Sequence, residues 1–142
     1  MNPIHLSFDV PKEDFAHAGE ASGAIKKTLK TLGYSKDVIR RTAIATYEAE
    51  INMVIHANGG TIDVDVFPDH IKVILADRGP GIPCIEKAMQ EGYSTANQNV
   101  RNLGFGAGMG LPNIKKYTDD MQIETVMGKG TTICLTIKCS GQ

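Results

Sequence analysis

The sequence predicts an α+β fold: a two-layer sandwich with helices on one face of a mostly antiparallel, mixed sheet, and a glycine-rich lid. Three observations carry this prediction. Short segments of alternating apolar and polar residues stand at both ends and in the middle of the chain. Two longer segments with helical spacing lie between the first strand and the middle ones. A polar, glycine-rich stretch without any period then separates the middle strands from a last helix and two closing strands.

Taken in order, Ile4 to Val10 alternates Ile4, Leu6, Phe8 and Val10 on one face and reads as a half-buried strand. Pro11-Lys12-Glu13-Asp14 opens a helical pattern that runs through Ala24, Ile25 and Leu29 and stops near Gly33. A second helix starts at Ser35, a good N-cap with Asp37 in the first turn, and carries Ile39, Ile44, Tyr47, Ile51 and Ile55. Asn58-Gly59-Gly60 ends it. Thr61 to Phe67 and Ile71 to Ala76, joined by Pro68-Asp69-His70, form a β-hairpin. A short helix around Ile85 to Gln90 follows, and then the aperiodic stretch Gly92 to Gly108, whose length marks a lid or binding loop. Leu111 to Tyr117 is helical, and Met121 to Val126 and Thr131 to Ile137 close the sheet around Gly128-Lys129-Gly130.

The bulk properties narrow the class. The 142 residues match one domain, and 42% hydrophobic residues suffice for one core. A net charge of -1 gives no reason to expect nucleic acid or an anionic membrane as partner. The three cysteines have neither metal-ligand nor CxxC spacing and read as reduced cytosolic thiols. No signal peptide pattern opens the chain, and no apolar run approaches the ~20 residues of a membrane span, so the expected location is the cytoplasm. Nine of the 15 glycines lie between Gly79 and Gly130, which makes the backbone permissive in that half.

Four short elements carry chemistry. On the second helix Glu48 and Asn52 stand four apart and share a face. They offer a base for a hydroxyl and a hard oxygen ligand for Mg²⁺. Asp77-Arg78-Gly79-Pro80-Gly81 follows a strand, where a carboxylate can accept from an exocyclic amine while glycines let a flat ligand approach. Gly104-Phe-Gly106-Ala-Gly108-Met-Gly110-Leu111 precedes a helix and exposes backbone N–H groups suited to phosphates, without Walker A or Rossmann spacing. Gly128-Lys-Gly130-Thr131 can be a plain hairpin turn, and Thr131 can add a hydroxyl at the base edge. Each alone has a bland explanation: a solvated helix face, a tight turn, a linker, a hairpin.

Together, Glu-x-x-x-Asn, Asp-x-Gly-x-Gly-Ile, Gly-x-Gly-x-Gly-Leu and Gly-x-Gly-Thr, in this order and on these elements, resemble the four boxes of the histidine-kinase-like (GHKL, Bergerat-fold) ATPases. The resemblance covers essentially the whole chain and implies one ATP-binding domain over residues 1–142 with a lid at roughly 82–108. It also implies roles. Asp77 would bind the adenine amine, with Gly79, Gly81 and Ile82 forming that wall and Thr131 supporting it. Asn52 would hold Mg²⁺. Gly106, Gly108 and Gly110 would wrap the phosphates, with Leu111 closing their motif. Glu48 would be the general base.

Within that family the chain is similar to the stand-alone anti-sigma factor serine/threonine kinases and the stress-module switch kinase. That likeness rests on Gly79-Pro-Gly-Ile-Pro83, Ala88-Met-Gln-Glu-Gly-Tyr-Ser-Thr95 and Gly108-Met-Gly-Leu-Pro112. The segment ahead of Glu48 has room for one strand and little over one helix, unlike sensor kinases, and no transducer domain is expected after Gly130. The resemblance implies phosphorylation of a Ser or Thr on a STAS-domain, anti-anti-sigma-type antagonist, with a sigma factor or phosphatase regulated by exchange of partners. It also implies a homodimer, although no dimer surface is visible by pattern. A nucleotide-gated binding module without phosphoryl transfer and a simple ATPase are the alternatives. Outside the boxes, Glu50 reads as a solvated charge, His56 as a helix-end residue and Cys84 as a bystander. Arg101 and, less so, Arg78 are candidates for phosphate contacts.

Overall fold

A computed structural model describes residues 4–11, 17–56, 59–79, 89 and 110–139. Strand β1 spans Ile4–Val10, helix α1 Glu20–Thr31, helix α2 Lys36–His56, and strands β2 and β3 Gly60–Val66 and His70–Asp77. Helix α3 follows at Gly110–Lys116, then β4 at Asp120–Val126 and β5 at Gly130–Lys138. The sheet order is β1-β2-β3-β5-β4, so the expected two-layer α+β architecture is present. All four pairings between the described strands are antiparallel, in keeping with the mostly antiparallel sheet expected. The expected short helix at Ile85–Gln90 and the lid lie outside the described residues.

The strands form because their alternation gives one apolar face. Ile62, Val64 and Val66 of β2, Ile71, Val73 and Leu75 of β3 and Ile133, Leu135 and Ile137 of β5 are all buried toward the helices. Ile25 and Leu29 of α1, Val38 and Val54 of α2, and Leu111 and Ile114 of α3 meet them in one core. Burying a side chain of this size stabilises by about 1.5–3 kcal/mol, so these residues supply the main driving force.

Among the described residues helix α1 begins at Glu20, and the expected opening at Lys12-Glu13-Asp14 lies outside them. Gly19 takes φ 99, a left-handed conformation open to glycine, and breaks the helical path there. The N-terminus of α1 is capped from a distance by Glu50. That carboxylate accepts from the backbone N–H of Gly19 (3.0 Å), Ser22 (3.2 Å) and Ala21 (3.4 Å). Only 3% exposed, Glu50 is therefore not the solvated charge the sequence suggested. The helix closes in a Schellman motif: Tyr34 N–H donates to Leu29 O, Gly33 N–H donates to Lys30 O, and Gly33 has φ 83.

Helix α2 begins as expected, with Ser35 Oγ accepting from Val38 N–H at 3.2 Å. Its buried stripe follows the expected one only in part: Ile51 is buried as expected, and the Ile55 side chain lies outside the described residues. Val38, Thr42, Ala45, Ala49 and Met53 face the core, whereas Tyr47 is 39% exposed and Ile39 and Ile44 are half-buried. The helix packs against α1 on one side and α3 on the other, as well as on the sheet. A helix flanked on three sides buries more than one stripe, and small residues fill the tightest of them. Arg41 ties its first turns to the far end of the sheet, with Nη1 3.0 Å from Asp119 Oδ2, Nε 2.9 Å from Asp37 and Nη2 donating to Lys138 O.

Candidate functional site

Strand β3 ends on Asp77, and its neighbours on both sides come unusually close there. Gly60 pairs directly with Asp77 across the β2–β3 ladder. A Cβ on Gly60 would overlap the Ala76 carbonyl oxygen and stand 2.7 Å from Asp77 Cα. On the other side Gly130 has φ +147, and a Cβ there would overlap the Asp77 carbonyl oxygen and stand 3.0 Å from its Oδ1. Glycine is required at both positions, because the sheet end closes around Asp77.

That closeness fixes the carboxylate. Thr131 N–H donates to Asp77 Oδ1 at 2.8 Å, and the Gly79 N–H donates to the same carboxyl group. Half-burial pushes the Asp77 carboxyl above its ordinary value, and these two backbone bonds pull it back only in part. A carboxylate has about four lone-pair sites, so two remain for a donor such as an exocyclic amine. The Thr131 side chain is buried, and its Oγ1 is 3.0 Å from Thr125 Oγ1. Its hydroxyl is thus held by Thr125 while its backbone orients Asp77.

Helix α2 supplies the other side. Glu48 and Asn52 are both half-buried on it, one turn apart. Met53, next to Asn52, reaches the Asp77 end of the sheet, since its Cε would stand 2.5 Å from a Cβ on Gly60. Glu48 turns toward α3, where the Asn113 side chain donates a hydrogen bond to it. Burial raises the Glu48 carboxyl above its ordinary value, and the Asn113 bond opposes this. Leu111, 7% exposed, sits in the core and fixes the start of α3, which Gly110 opens.

Of the expected site residues, Glu48, Asn52, Asp77, Gly79, Gly110, Leu111 and Thr131 fall on described elements. Gly81, Ile82, Gly106, Gly108, Cys84 and Arg101 lie outside the described residues. Arg78 is exposed, and its backbone N–H donates to Gly59 O. Sequence reasoning missed Gly60 and Asn113. Gly60 was read as a helix terminator, although its place opposite Asp77 in the hairpin register was a usable signal. No local pattern pointed to Asn113. A separate cavity of about 470 Å³ lies among Phe8, Val10, His17, Ala21 and Val54, and none of the expected site residues lines it.

Among the described residues, Asp77 has carboxylate lone pairs free to accept from an amine such as that of adenine. No cluster of three or more acidic, His or Cys side chains that could cage a metal exists among the described residues. Magnesium rarely needs one: it keeps several waters and takes one or two protein oxygens plus substrate phosphates. Asn52 can supply such an oxygen.

Comparison with known proteins agrees. Residues 12–137 match the family model described as "Histidine kinase-like ATPase domain". Over 112 residues the chain is 33% identical to the serine/threonine-protein kinase RsbT of Bacillus subtilis, covering 76% of this chain and 78% of that one. It is 33% identical over 101 residues to the anti-sigma F factor of Caldanaerobacter subterraneus, covering 68% of this chain and 66% of that one. Among solved structures, the RsbU and RsbW domains of a Mycobacterium tuberculosis protein share its fold. The TM-score is 0.62 at 17% identity, over 96% of this chain and 32% of that longer one. With the order of its four boxes and a family match over most of its length, the chain belongs to the histidine kinase-like ATPase domain family.

Proposed function

We propose that residues 1–142 act as one ATP-binding domain and that the protein is an ATP-dependent protein serine/threonine kinase of a partner-switching module. Its substrate would be a Ser or Thr hydroxyl on a STAS-domain antagonist, and a sigma factor or phosphatase would be regulated by the exchange. The names of the relatives, a serine/threonine-protein kinase and an anti-sigma F factor, support the partners. A cytoplasmic homodimer is part of the same proposal; among the described residues, no helix is long and apolar enough to cross a membrane.

The observation that carries the reading is the half-buried Glu48 carboxyl, one turn from Asn52 and held by Asn113. Bound Mg-ATP would supply the phosphoryl group and the cation that neutralises its charge. Asp77 would accept from the adenine amine, and Asn52 would offer its amide oxygen to the metal. Glu48 would accept the proton of the attacking hydroxyl, a contribution of about 10²–10⁴-fold in rate. Positioning and electrostatics would supply most of the rest.

The test is calorimetric titration of Mg-ATP into the wild type, Asp77→Asn and Glu48→Ala, followed by transfer of labelled phosphate to a STAS-domain protein. Expected are weakened binding in Asp77→Asn, and binding within about twofold of wild type but no transfer in Glu48→Ala. If Glu48→Ala loses nucleotide affinity as far as it loses transfer, Glu48 is not the base. Binding without transfer to any hydroxyl would refute the kinase.

A further inference from the structure

The start of α2 and the end of α3 meet at one aromatic ring. Arg40 Cζ stands 5.5 Å from the centroid of the Tyr117 ring, and Lys116 Nζ stands 5.5 Å from the same centroid. Tyr117 is half-buried and packs against the core, so its ring is a fixed platform. Each cation is within the ~6 Å at which a ring quadrupole attracts it, but a ring supplies no counter-charge. Two like charges are therefore held together at the surface. Lys36 lies one turn before Arg40 on α2, Lys115 precedes Lys116, and all four residues are exposed.

The nearby acids are already engaged. Among the described residues of α2 and α3, Asp37 is the one fully exposed acid. It accepts from Arg41 at 2.9 Å and reaches Arg40 only at 3.4 Å, while the Arg40 side chain stays 57% exposed. After Tyr117, Asp119 accepts from Arg41 and the Lys138 N–H, and Asp120 accepts from the Gln122 amide. Helix electrostatics explains only half of the patch. Lys115 and Lys116 sit in the last turn of α3, where cations are favourable. Lys36 opens α2, where a cation opposes the dipole, and Arg40 is too far from the C-terminus of α2 to gain from it.

We propose that this patch is a docking site for an acidic protein surface, with Lys36, Arg40, Lys115 and Lys116 as its cations and Tyr117 as its fixed centre. That the docked protein is the phosphate acceptor rests on the kinase reading above. Position supports that partner. Helix α3 runs seven residues from Gly110, an expected phosphate-site residue, to Lys116. At 1.5 Å per residue the two ends are about 10 Å apart. A protein interface covers about 800 Å² per partner, roughly 30 Å across, so one partner spans both ends. Nucleic acid fits less well: it asks for a basic domain or stripe, whereas this chain has a net charge of -1 and one compact cluster here.

Fluorescence anisotropy at low salt, where exposed charges are least screened, tests the patch directly. The probes are a labelled peptide of alternating Glu and Asp, its Gln/Asn counterpart and a short DNA duplex. The variants are Arg40→Gln/Lys116→Gln and Lys36→Gln/Arg40→Gln; the second leaves the α3 end intact should loss of Lys116 loosen it. Lys26→Gln/Lys27→Gln, two exposed positions on α1, is the control. The acidic peptide should bind wild type and control, and about tenfold more weakly to both patch variants, whereas the neutral peptide should not bind. In phosphate transfer to a STAS-domain protein, the patch variants should lower kcat/KM by about tenfold, with kcat and Mg-ATP affinity within about twofold. Added salt should erase the difference.

Equal peptide binding by wild type and both folded patch variants overturns the proposal. An equal loss in the α1 control overturns it too, since diffuse charge would then suffice. DNA bound more tightly than the peptide through the same residues makes nucleic acid the occupant and overturns it as well. Peptide binding as expected, with no transfer to any hydroxyl by the wild type, upholds the docking site and removes the kinase reading. Transfer by wild type with kcat/KM unchanged in both patch variants removes the phosphate acceptor as the occupant.

Discussion

Replacing Glu50 by Ala is expected to be among the most damaging single changes outside the nucleotide site. The carboxylate is 3% exposed and accepts three backbone N–H bonds at 3.0, 3.2 and 3.4 Å. A hydrogen bond to a charged group contributes about 1.5–3 kcal/mol, and a buried donor left unpaired costs about 1–3 kcal/mol. The 3.4 Å bond is weak, so two good bonds set the scale. With the favourable field at a helix N-terminus included, the sum is about 3–5 kcal/mol. Glu50→Gln keeps one carbonyl acceptor and the shape, and should cost about 1–2 kcal/mol, mainly the charge. Urea unfolding followed by far-UV circular dichroism reads both. With m of about 1–3 kcal/mol/M, the Ala variant should lower the midpoint by about 1 M or more. A loss below about 1 kcal/mol in Glu50→Ala would mean that water or another group caps α1, and the argument from burial would fail.

Gly130→Ala should destabilise by about 1–3 kcal/mol and weaken Mg-ATP binding by calorimetry, because the new Cβ must push β5 off Asp77 and stretch the 2.8 Å Thr131–Asp77 bond. Gly128→Ala is the control: at φ +83 it meets nothing within 4 Å, so it should cost about 1–2 kcal/mol of stability and leave ATP affinity intact. Arg41→Met should lower stability at pH 7 by about 1–2 kcal/mol, the low end of the range because the Asp119 side chain is 34% exposed. Burial pushes the Asp119 carboxyl up, but the Lys138 N–H and Arg41 outweigh it and hold it below 3.8. Its stabilisation is therefore complete above that value and lost as pH falls through the native one. The wild-type advantage over Arg41→Met in urea should shrink below about pH 4, and an advantage constant down to pH 2 would show that Asp119 plays no part.

The strands were legible because their alternation is local. Ile62, Val64 and Val66 announce a buried face without reference to any partner, and the β2–β3 hairpin followed from its turn. The family was legible because its four short motifs stand in order along the chain, and the family match covers residues 12–137. What stayed hidden depends on residues far apart in the chain. Glu50 caps a helix that begins 30 residues earlier, and no periodicity can reveal that bond. The α2 stripe was misread because α1 and α3 cover its flanks, so Thr42 and Thr46 are fully buried while Tyr47 is not.

Glu48-Ala49-Glu50 shows how three consecutive residues divide these tasks. A helix turns about 100° per residue, so side chains two apart point about 200° apart, to nearly opposite flanks. Ala49, between them, is buried against the core and carries no polar group that must be satisfied there. One flank of α2 faces α1, and there Glu50 is spent entirely on backbone N–H groups. The other flank faces α3, and there Glu48 has a side-chain amide donor and remains half-exposed. A buried carboxylate that accepts three backbone N–H bonds is a structural anchor for the helix it caps. A carboxylate whose burial raises its proton affinity, and which one amide holds without saturating it, retains a lone pair for chemistry. Identical side chains two residues apart are thus given different surroundings by the helices on either side.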